Sequence, residues 1–329
     1  MFNVSRRDFV VSASAAATAF GLDKPLAFIA SAQAQKAAGS NGSAQALLMK
    51  FMVGDVEVTQ LYDGIWEKAH DPQFIKQATV EETKAALRAA GLADAHVPIP
   101  FTVTVIKTKD QTVMFDSGTG AQLAPTAGLI AKENGFKAAG IDPAGIKTII
   151  VTHFHPDHIF GLMAKETNAQ IFPEAEIIVP AAEYKWWTDP AALDKLPAAR
   201  QGLAKRIQAT FPTWKNIKQL EGEKEVVPGV RSVSTNGHTP GHTSYLVSSG
   251  NQQLMVLGDI TNIPALFVKN PGWHAAFDQD ANLAEASRRR IFDRAVADKM
   301  LVAGYHYGMP GAGTIVKDGS GYAFVPMKG

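Results

Sequence analysis

The chain of 329 residues contains no cysteine, which excludes a disulfide framework, a thiolate metal site and a cysteine nucleophile. Its composition, 46% apolar and 19% charged, suits a globular protein with a sizeable core. A formal net charge of +1 provides no basic excess for phosphate backbones, so nucleic acid is not an expected partner.

The first 34 residues have the pattern of an export signal. The segment SRRDFV at 5–10 resembles the twin-arginine motif, an Ala/Val-rich run follows, and AQA at 32–34 has the small-x-small form of a cleavage site. We therefore predict a twin-arginine signal peptide over 1–34 and a periplasmic or secreted protein without a membrane anchor after cleavage. Removal of residues 1–34 leaves 29 basic and 29 acidic side chains. The small, polar residues 35–46 are predicted to form a flexible linker.

Strands and helices alternate along residues 47–329, which are predicted to form one domain. In the first half, a strand pair around 53–61 is expected to turn at Gly54-Asp55 and again at Asp63-Gly64, and further strands are expected over 101–108, 112–116 and 147–152. Helices are expected from the capping-box sequence TVEE at 79–82 to Gly91, over 123–135 and over 191–209.

The second half repeats this style without an intervening linker. Strands are predicted over 226–234, 243–248, 253–258 and 300–303, with a helix over 281–298 and a final hairpin over 313–326. Two similar halves of strands and helices predict an α/β fold, a four-layer αβ/βα sandwich with the sheets inside.

The densest chemical signal is the segment VTHFHPDHIFG at 151–161. It follows KTII, a β-branched run that predicts a strand buried on both faces, and it should therefore lie at the carboxyl edge of a sheet. His153 and His155 share one side of an extended segment, and Asp157 and His158 can turn back towards the same point after Pro156. Imidazoles and a carboxylate at this spacing predict a site for zinc or a neighbouring first-row metal.

Three later segments place further metal-binding residues at the ends of apolar runs. They are NGHTPGH at 236–242, LMVLGD at 254–259 and LVAGYH at 301–306. Each is weak alone, but with the first cluster they give the ordered set His-x-His-x-Asp-His, His, Asp, His.

This ordered set resembles that of the metallo-β-lactamase superfamily of dinuclear metallohydrolases, and the resemblance covers residues 47–329. It implies that His153, His155 and His238 hold one metal, that Asp157, His158 and His306 hold the second, and that Asp259 bridges them. The implied cofactors are two divalent ions, zinc first, with manganese, cobalt or iron as alternatives. His242 is then expected to contact the ligands and not to bind a metal itself.

Within the superfamily the chain looks most like the methyl parathion hydrolase group and exported lactonases. The supporting residues are HPDH at 155–158, GHTPGHT at 237–243, LDK at 193–195, MPG at 309–311 and GYAFVP at 321–326. The resemblance implies hydrolysis of lactones, with organophosphate triesters as a second activity. Metals that share a water lower its pKa towards about 7, so a bridging hydroxide can attack the carbonyl carbon or phosphorus. Asp157 and Asp259 are the expected catalytic residues, Asp157 as proton donor to a poor leaving group.

Several other residues receive predicted roles. Asp116 and Thr152 are expected to orient ligand histidines by hydrogen bonds. Trp187, Phe267 and Trp273 are candidates for the wall of the substrate pocket. The run Arg288-Arg289-Arg290 is interpreted as the solvated face of a helix.

The near-neutral charge favours a neutral, partly apolar ester substrate, and a homodimer is left open. The alternatives are a mononuclear iron persulfide dioxygenase on the same fold, a glyoxalase II-like thioesterase, and a binding protein that retains the site as a relic.

Overall fold

The computed structural model of the chain describes residues 47–123, 125–132 and 135–328. The predicted signal peptide (1–34) and linker (35–46) lie outside these ranges and stay predictions. Within them, no helix is both long enough and apolar enough to cross a membrane.

The first sheet contains seven strands in chain order. Strands β1 to β4 pair antiparallel, and β4 to β7 pair parallel. Their bounds are β1 (Leu48–Val53), β2 (Val56–Lys68), β3 (Val97–Lys107), β4 (Thr112–Phe115), β5 (Ile146–Ile150), β6 (Glu176–Pro180) and β7 (Ile217–Leu220).

The second sheet also contains seven strands, in the order β14-β13-β12-β11-β10-β9-β8. All of its pairs are antiparallel except β11 with β12. The bounds are β8 (Glu225–Val227), β9 (Val230–Ser234), β10 (Thr243–Ser249), β11 (Gln252–Val256), β12 (Leu301–Ala303), β13 (Ala312–Asp318) and β14 (Gly321–Pro326).

The helices are mostly short and lie outside the sheets. They are α1 (Val80–Ala89), α2 (Leu129–Lys132), α3 (Gly135–Ala138), α4 (Pro156–Ile159), α5 (Ala181–Thr188), α6 (Ala192–Lys195), α7 (Ala198–Thr210) and α8 (Ala281–Ala297). Single 3-10 turns occupy Pro143–Gly145, Phe160–Leu162 and Phe211–Thr213, and a π-helical turn occupies Pro264–Val268.

Three hydrophobic clusters define the four layers. The central cluster joins the facing sides of the sheets, with Phe115 and Ile150 from the first and Tyr245 from the second. A second cluster packs helices on the outer face of the first sheet, and a third packs α8 on the second. Ile149 belongs to the outer cluster and Ile150 to the central one, so β5 is buried on both faces as predicted. The predicted αβ/βα sandwich is confirmed.

Two predictions in the first half were wrong, and both concern Asp63. No turn forms at Asp63-Gly64; β2 continues to Lys68 through a bulge at which Gly64 adopts φ +104°. The bulge is accompanied by an inward carboxylate, which accepts hydrogen bonds from Thr119 N (2.8 Å), Thr119 Oγ1 (2.8 Å) and Ile130 N (2.9 Å). The predicted helix over 123–135 begins later than expected: residues 125–128 are not helical, and α2 begins at Leu129 with the Ile130 amide in its first turn.

The predicted helix over 191–209 is divided into α6 and α7. Leu196 and Pro197 separate them, because proline lacks the N–H that a helix interior needs and disfavours helical geometry in the preceding residue. The predicted capping box is confirmed: Thr79 Oγ1 accepts from Glu82 N, and Glu82 accepts from Thr79 N.

We expect Asp63→Asn to lower the free energy of unfolding by about 1–3 kcal/mol, because the amide places an N–H donor against donors that now meet an oxygen. Urea denaturation measures the loss. Asp55→Asn, at an exposed carboxylate in the β1–β2 turn, is the matched control and should change stability little. Equal stability of the two variants would contradict this role for Asp63.

Candidate metal centre and substrate cavity

The predicted metal-binding residues follow strands that end at adjoining sheet edges. In the first sheet β4 and β5 are parallel, so Asp116 and the segment 151–158 leave the same edge. In the second sheet β9, β11 and β12 run in one direction, so the segments 235–242, 257–259 and 304–306 also leave one edge. The topology therefore brings together residues that are far apart in sequence.

One group of ligand atoms consists of three histidine nitrogens and a carboxylate. His155 Nδ1 lies 3.0 Å from His153 Nε2 and 2.9 Å from His238 Nε2. Asp259 Oδ2 lies 3.4 Å from His238 Nε2 and 3.9 Å from His153 Nε2. All four side chains are buried, and we call them the first group.

The second group shares Asp259 with the first. Asp157 Oδ2 lies 3.4 Å from both His158 Nε2 and His306 Nε2. Asp259 Oδ1 lies 3.3 Å from His158 Nε2, and Asp259 Oδ2 lies 3.0 Å from His306 Nε2. In each group the ligand atoms lie within 4.8 Å of one another, so the seven predicted residues form two groups that can each hold an ion.

The other ring nitrogen of most of these histidines faces an acceptor. His238 Nδ1 lies 2.8 Å from Asp278 Oδ1, and His306 Nδ1 lies 2.8 Å from the Pro100 carbonyl oxygen. A carboxylate and a carbonyl only accept, so both rings carry their hydrogen on Nδ1. Their Nε2 lone pairs therefore point towards Asp259.

Asp116 and Thr152, which were predicted to orient ligand histidines, fix the ring hydrogens of His153 and His158 on Nδ1 in the same way. Asp116 adopts φ +59° and accepts from Thr152 N (2.7 Å), Thr152 Oγ1 (2.8 Å) and His158 Nδ1 (2.8 Å). Since the Thr152 hydroxyl hydrogen is given to Asp116, its oxygen accepts from His153 Nδ1 at 3.0 Å. His153 and His158 thus also present Nε2 lone pairs to the site.

This arrangement fits divalent cations. His158 Nε2 and Asp259 Oδ1 are buried and have no hydrogen-bond partner, although buried polar atoms nearly always have one. With their ring hydrogens on Nδ1, His158 and His306 present acceptors that face carboxylate acceptors across 3–4 Å, and a cation between them would remove the repulsion. Imidazole nitrogens and carboxylate oxygens are ligands that zinc and neighbouring metals accept.

The two groups differ in electrostatic character. Burial lowers the pKa of His153 and His155 well below the usual range, which favours neutral rings. Burial also acts to lower the pKa of His158, but the surrounding carboxylates, Asp259 foremost, raise it well above the usual range. The second group contains two carboxylates, Asp157 and Asp259, where the first contains only Asp259, so it carries more negative charge on its side-chain oxygens.

His242 lies behind Asp259 and outside both groups. Its Nε2 accepts from the Asp259 backbone N–H at 2.8 Å, and its Nδ1 lies 2.8 Å from Thr235 Oγ1. Burial, together with nearby His238, lowers the pKa of His242 to about 3, in keeping with the accepting Nε2. Gly258 permits the contact, because a Cβ there would lie 2.6 Å from His242 Nε2.

The loop 236–242 needs both of its glycines. A Cβ on Gly237, which has φ +130°, would lie 2.1 Å from Ala284 N on α8. A Cβ on Gly241 would lie 2.1 Å from Glu183 N on α5. The loop that carries His238 is thus in backbone contact with a helix on each side.

Four residues near the site were missed in the sequence. Asp278 accepts from His238, and buried Arg288 Nη2 lies 3.4 Å from Asp278 Oδ2. Tyr305 places its ring 3.9 Å from that of His158 and donates its hydroxyl to the Asp157 carbonyl at 2.5 Å. Glu183 is the fourth. Only Tyr305 had a signal, since it directly precedes His306 in the quoted segment.

The interpretation of 288–290 as a solvated face was wrong for Arg288. This side chain is 1% exposed and donates to the carbonyl oxygens of Ile260 (2.7 Å), Pro271 (2.7 Å) and Trp273 (3.1 Å). It fixes the loop 260–278 that follows Asp259.

A cavity of about 460 Å³ opens onto both groups. Its floor includes His155, Asp157, Asp259 and His306. Apolar side chains dominate the walls, and Arg200 is the only cation among the described residues that line it. The apolar residues include Trp66, Ile99, Phe101, Leu123, Leu203 and Phe277.

The three aromatic residues predicted for this pocket are not among its lining residues. Trp187 is fully buried and donates Nε1–H to Glu183 Oε1 at 2.7 Å, with its ring 6.2 Å from that of His155. Phe267 is buried in the outer core, where its ring packs edge-on against Phe74. Trp273 is half-buried against the same core. These three side chains therefore pack in or against the core and do not line the cavity as predicted.

Comparisons with known proteins point to one family. Residues 99–301 match the family described as the metallo-beta-lactamase superfamily. The chain is 31% identical over 169 residues to an N-acyl homoserine lactonase from Bacillus sp., covering 51% of this chain and 59% of the lactonase. It is 26% identical over 184 residues to the N-acyl homoserine lactonase AttM of Agrobacterium fabrum, covering 50% and 65%. The chain thus spans about three fifths of the length of these curated relatives.

Solved structures agree with the fold. AidC, a dizinc quorum-quenching lactonase solved with the product N-hexanoyl-L-homoserine, matches with a TM-score of 0.76 and 26% identity, over 86% of this chain and 98% of that one. The hydrolase AbOPH matches with a TM-score of 0.78 and 24% identity over the same shares, which supports the fold alone. The family match covers more than half of the chain and includes six of the seven predicted metal-binding residues, so the protein belongs to the metallo-beta-lactamase superfamily.

Proposed function

We propose that the protein is a metal-dependent lactonase that hydrolyses neutral lactones, with N-acyl homoserine lactones as the first substrate class. The observation that carries the proposal is the pair of groups joined by Asp259 at the floor of an apolar-walled cavity. The similar N-acyl homoserine lactonases and the dizinc lactonase AidC support the same reaction.

Two divalent ions, zinc in our proposal, would be held by the first and second groups. Such ions supply Lewis acidity and a water molecule of lowered pKa. The protein holds the ligands in place through Asp116, Thr152 and Asp278, and His242 fixes the backbone of Asp259.

The remaining residues bind the substrate and move a proton. The apolar walls of the cavity would take up the acyl chain and exclude bulk water. Water adds to the lactone carbonyl carbon and gives up a proton, the ring C–O bond breaks, and that proton passes to the leaving alkoxide. Asp157 lines the cavity and is the more exposed of its two carboxylates, so we assign it this proton transfer.

Organophosphate triesters are the second candidate class. They are neutral and partly apolar, as the cavity walls require, and a nitrophenolate leaves without a proton. We further propose that residues 1–34 direct export, which the N-terminal sequence of the mature protein would test.

We expect purified protein loaded with zinc, manganese or cobalt to hydrolyse lactones, and Asp259→Ala to reduce kcat/KM by at least about 100-fold, since it removes the ligand common to both groups. Asp55→Ala, at an exposed carboxylate, is the control. The panel contains γ- and δ-lactones, N-acyl homoserine lactones, aryl esters, a glutathione thioester and methyl parathion.

No turnover of any ester with any of these metals would refute the proposal. One iron and no zinc per chain, together with persulfide oxidation, would favour the dioxygenase. Turnover of the thioester alone would favour the glyoxalase II-like enzyme, and an unchanged Asp259→Ala variant would indicate a relic site.

Asp116→Asn should weaken zinc binding by about 10–100-fold, because a neutral amide orients His158 less firmly than a carboxylate does. Competition with a chromophoric chelator measures the affinity. Asp142→Asn is the control, since Asp142 caps a 3-10 turn and contacts neither group. Equal affinities of the two variants would exclude the orienting role of Asp116.

Arg200 is expected to recognise the amide carbonyl of an N-acyl homoserine lactone. Its Nη2 donates to the Ala276 carbonyl (2.9 Å), which anchors the side chain at the cavity and leaves other N–H donors for a ligand. Arg200→Met should raise KM for such a lactone about tenfold or more and change KM little for a lactone of equal length without the amide. Lys195→Met, at an exposed cation of α6, controls for the lost charge. Equal effects on both substrates would contradict this recognition.

A further inference from the structure

Glu183 is a fully buried carboxylate on α5 that the proposed reaction does not use. Its Oε1 accepts from the backbone N–H of Phe154 (2.9 Å) and from Trp187 Nε1 (2.7 Å). Its Oε2 accepts from the backbone N–H of Gly241 (2.8 Å). One side chain is therefore bonded to two loops and to its own helix.

The two loops carry the histidines of the first group. Phe154 stands between His153 and His155 in the segment after β5. Gly241 stands three residues after His238, in the segment after β9. His155 and His238 are 83 residues apart in sequence, yet their facing nitrogens are 2.9 Å apart. Glu183 is bonded to the backbone on both sides of this contact.

The approach of the second loop is fixed by backbone contact as well. A Cβ on Gly241 would lie 2.1 Å from Glu183 N and 2.5 Å from Glu183 Cα, so only glycine allows the loop to reach α5. The hydrogen bond and the backbone contact thus both join Glu183 to Gly241, and together they set the distance between the His238 loop and the β5 loop.

Burying this carboxylate has a cost. Burial raises the pKa of Glu183 above its usual value, while the N–H groups of Phe154 and Gly241 oppose the rise. A buried carboxylate is costly unless hydrogen bonds compensate it, and an apolar residue would fill the same space more cheaply. Its specific gain is the fixed distance between two loops.

The β5 loop also carries Asp157 and His158 of the second group, but Glu183 bonds neither of these residues nor the loop that carries His306. The histidines of the second group are held by Asp116 and by the Pro100 carbonyl oxygen. We propose that Glu183 is a positioning residue for the first group, setting the spacing of His153, His155 and His238 and hence their affinity for a divalent ion. The proposal rests on the metal binding proposed above, and it does not depend on the substrate.

Zinc affinity in two single-group backgrounds tests this proposal. His306→Ala leaves the first group complete, and His238→Ala leaves the second group complete. Glu183→Gln should weaken zinc binding by about 10–100-fold in the first background, because the amide NH₂ meets an N–H donor at one of the two loops. In the second background the affinity should change by less than about threefold. Competition with a chromophoric chelator gives each dissociation constant.

Asp63→Asn is the matched control in both backgrounds. Asp63 is also a buried carboxylate that accepts three hydrogen bonds, but it holds the segments at 119 and 130 and neither loop of the first group. A first-group loss no larger for Glu183→Gln than for Asp63→Asn would overturn the proposal. Equal losses in the two backgrounds, or no loss, would overturn it as well.

If Glu183→Gln does not fold, Glu183→Asp replaces it, since the shorter carboxylate keeps its charge but cannot span both loops. Zinc affinity should again fall in the first background and stay nearly unchanged in the second. If either background binds no zinc, the substitution is made in the intact chain instead. That variant should bind one zinc ion as tightly as the parent protein and the other more weakly. Two ions bound with unchanged affinity would refute the proposal. These measurements need no substrate, so an absence of lactone hydrolysis would be a separate result.

Discussion

The site depends on the position of Asp259, the one residue common to both groups. Its oxygens face nitrogens of His158, His238 and His306 at 3.0–3.4 Å. Burial alone would raise the pKa of Asp259, but His306 and His158 hold it well below its usual range, so the residue is a carboxylate. A buried anion is costly unless positive charge accompanies it.

The fold meets this constraint by holding the ligands with supporting residues. Each segment leaves the end of a strand buried between layers, and a second residue then fixes the side chain. Asp116 fixes His158, Asp278 fixes His238, and His242 fixes the backbone of Asp259. Asp278 in turn lies 3.4 Å from Arg288, which also holds the loop 260–278. The supports of the site therefore belong to several elements at once.

The sandwich, and the seven side chains that the fold brings together in two groups, could be predicted from the sequence because both depend on local patterns. A β-branched run followed by His-x-His-x-Asp-His identifies a strand end and its polar residues without any knowledge of distant contacts. The helix over 123–135 and the turn at Asp63-Gly64 were mispredicted, because a carboxylate on β2 determines how the chain folds some 60 residues later. Glu183 and Asp278 were missed for the same reason. Each acts on a residue more than 25 positions away, and neither stands in a recognisable motif.

The pocket was the least predictable part, and its geometry explains why. Aromatic residues near the site in sequence were natural candidates, yet Trp187 and Phe267 face the core, where burial of a large ring is most favourable. The cavity wall is formed instead by residues from β2, β3, α7 and the loop before α8, such as Trp66, Phe101, Leu203 and Phe277. The predicted metal ligands instead follow β5, β9, β11 and β12.

This separation has a consequence for chemistry. The ligands are tied to one another and to their supports, so a change at any of them alters the whole centre. Of the wall residues, Phe101 packs edge-on against the ring of His306, whereas Trp66 and Phe277 pack against each other. Similar sets of ligands on one fold can serve different substrates, so under the proposed function the ligands constrain the reaction type and the cavity wall constrains the substrate.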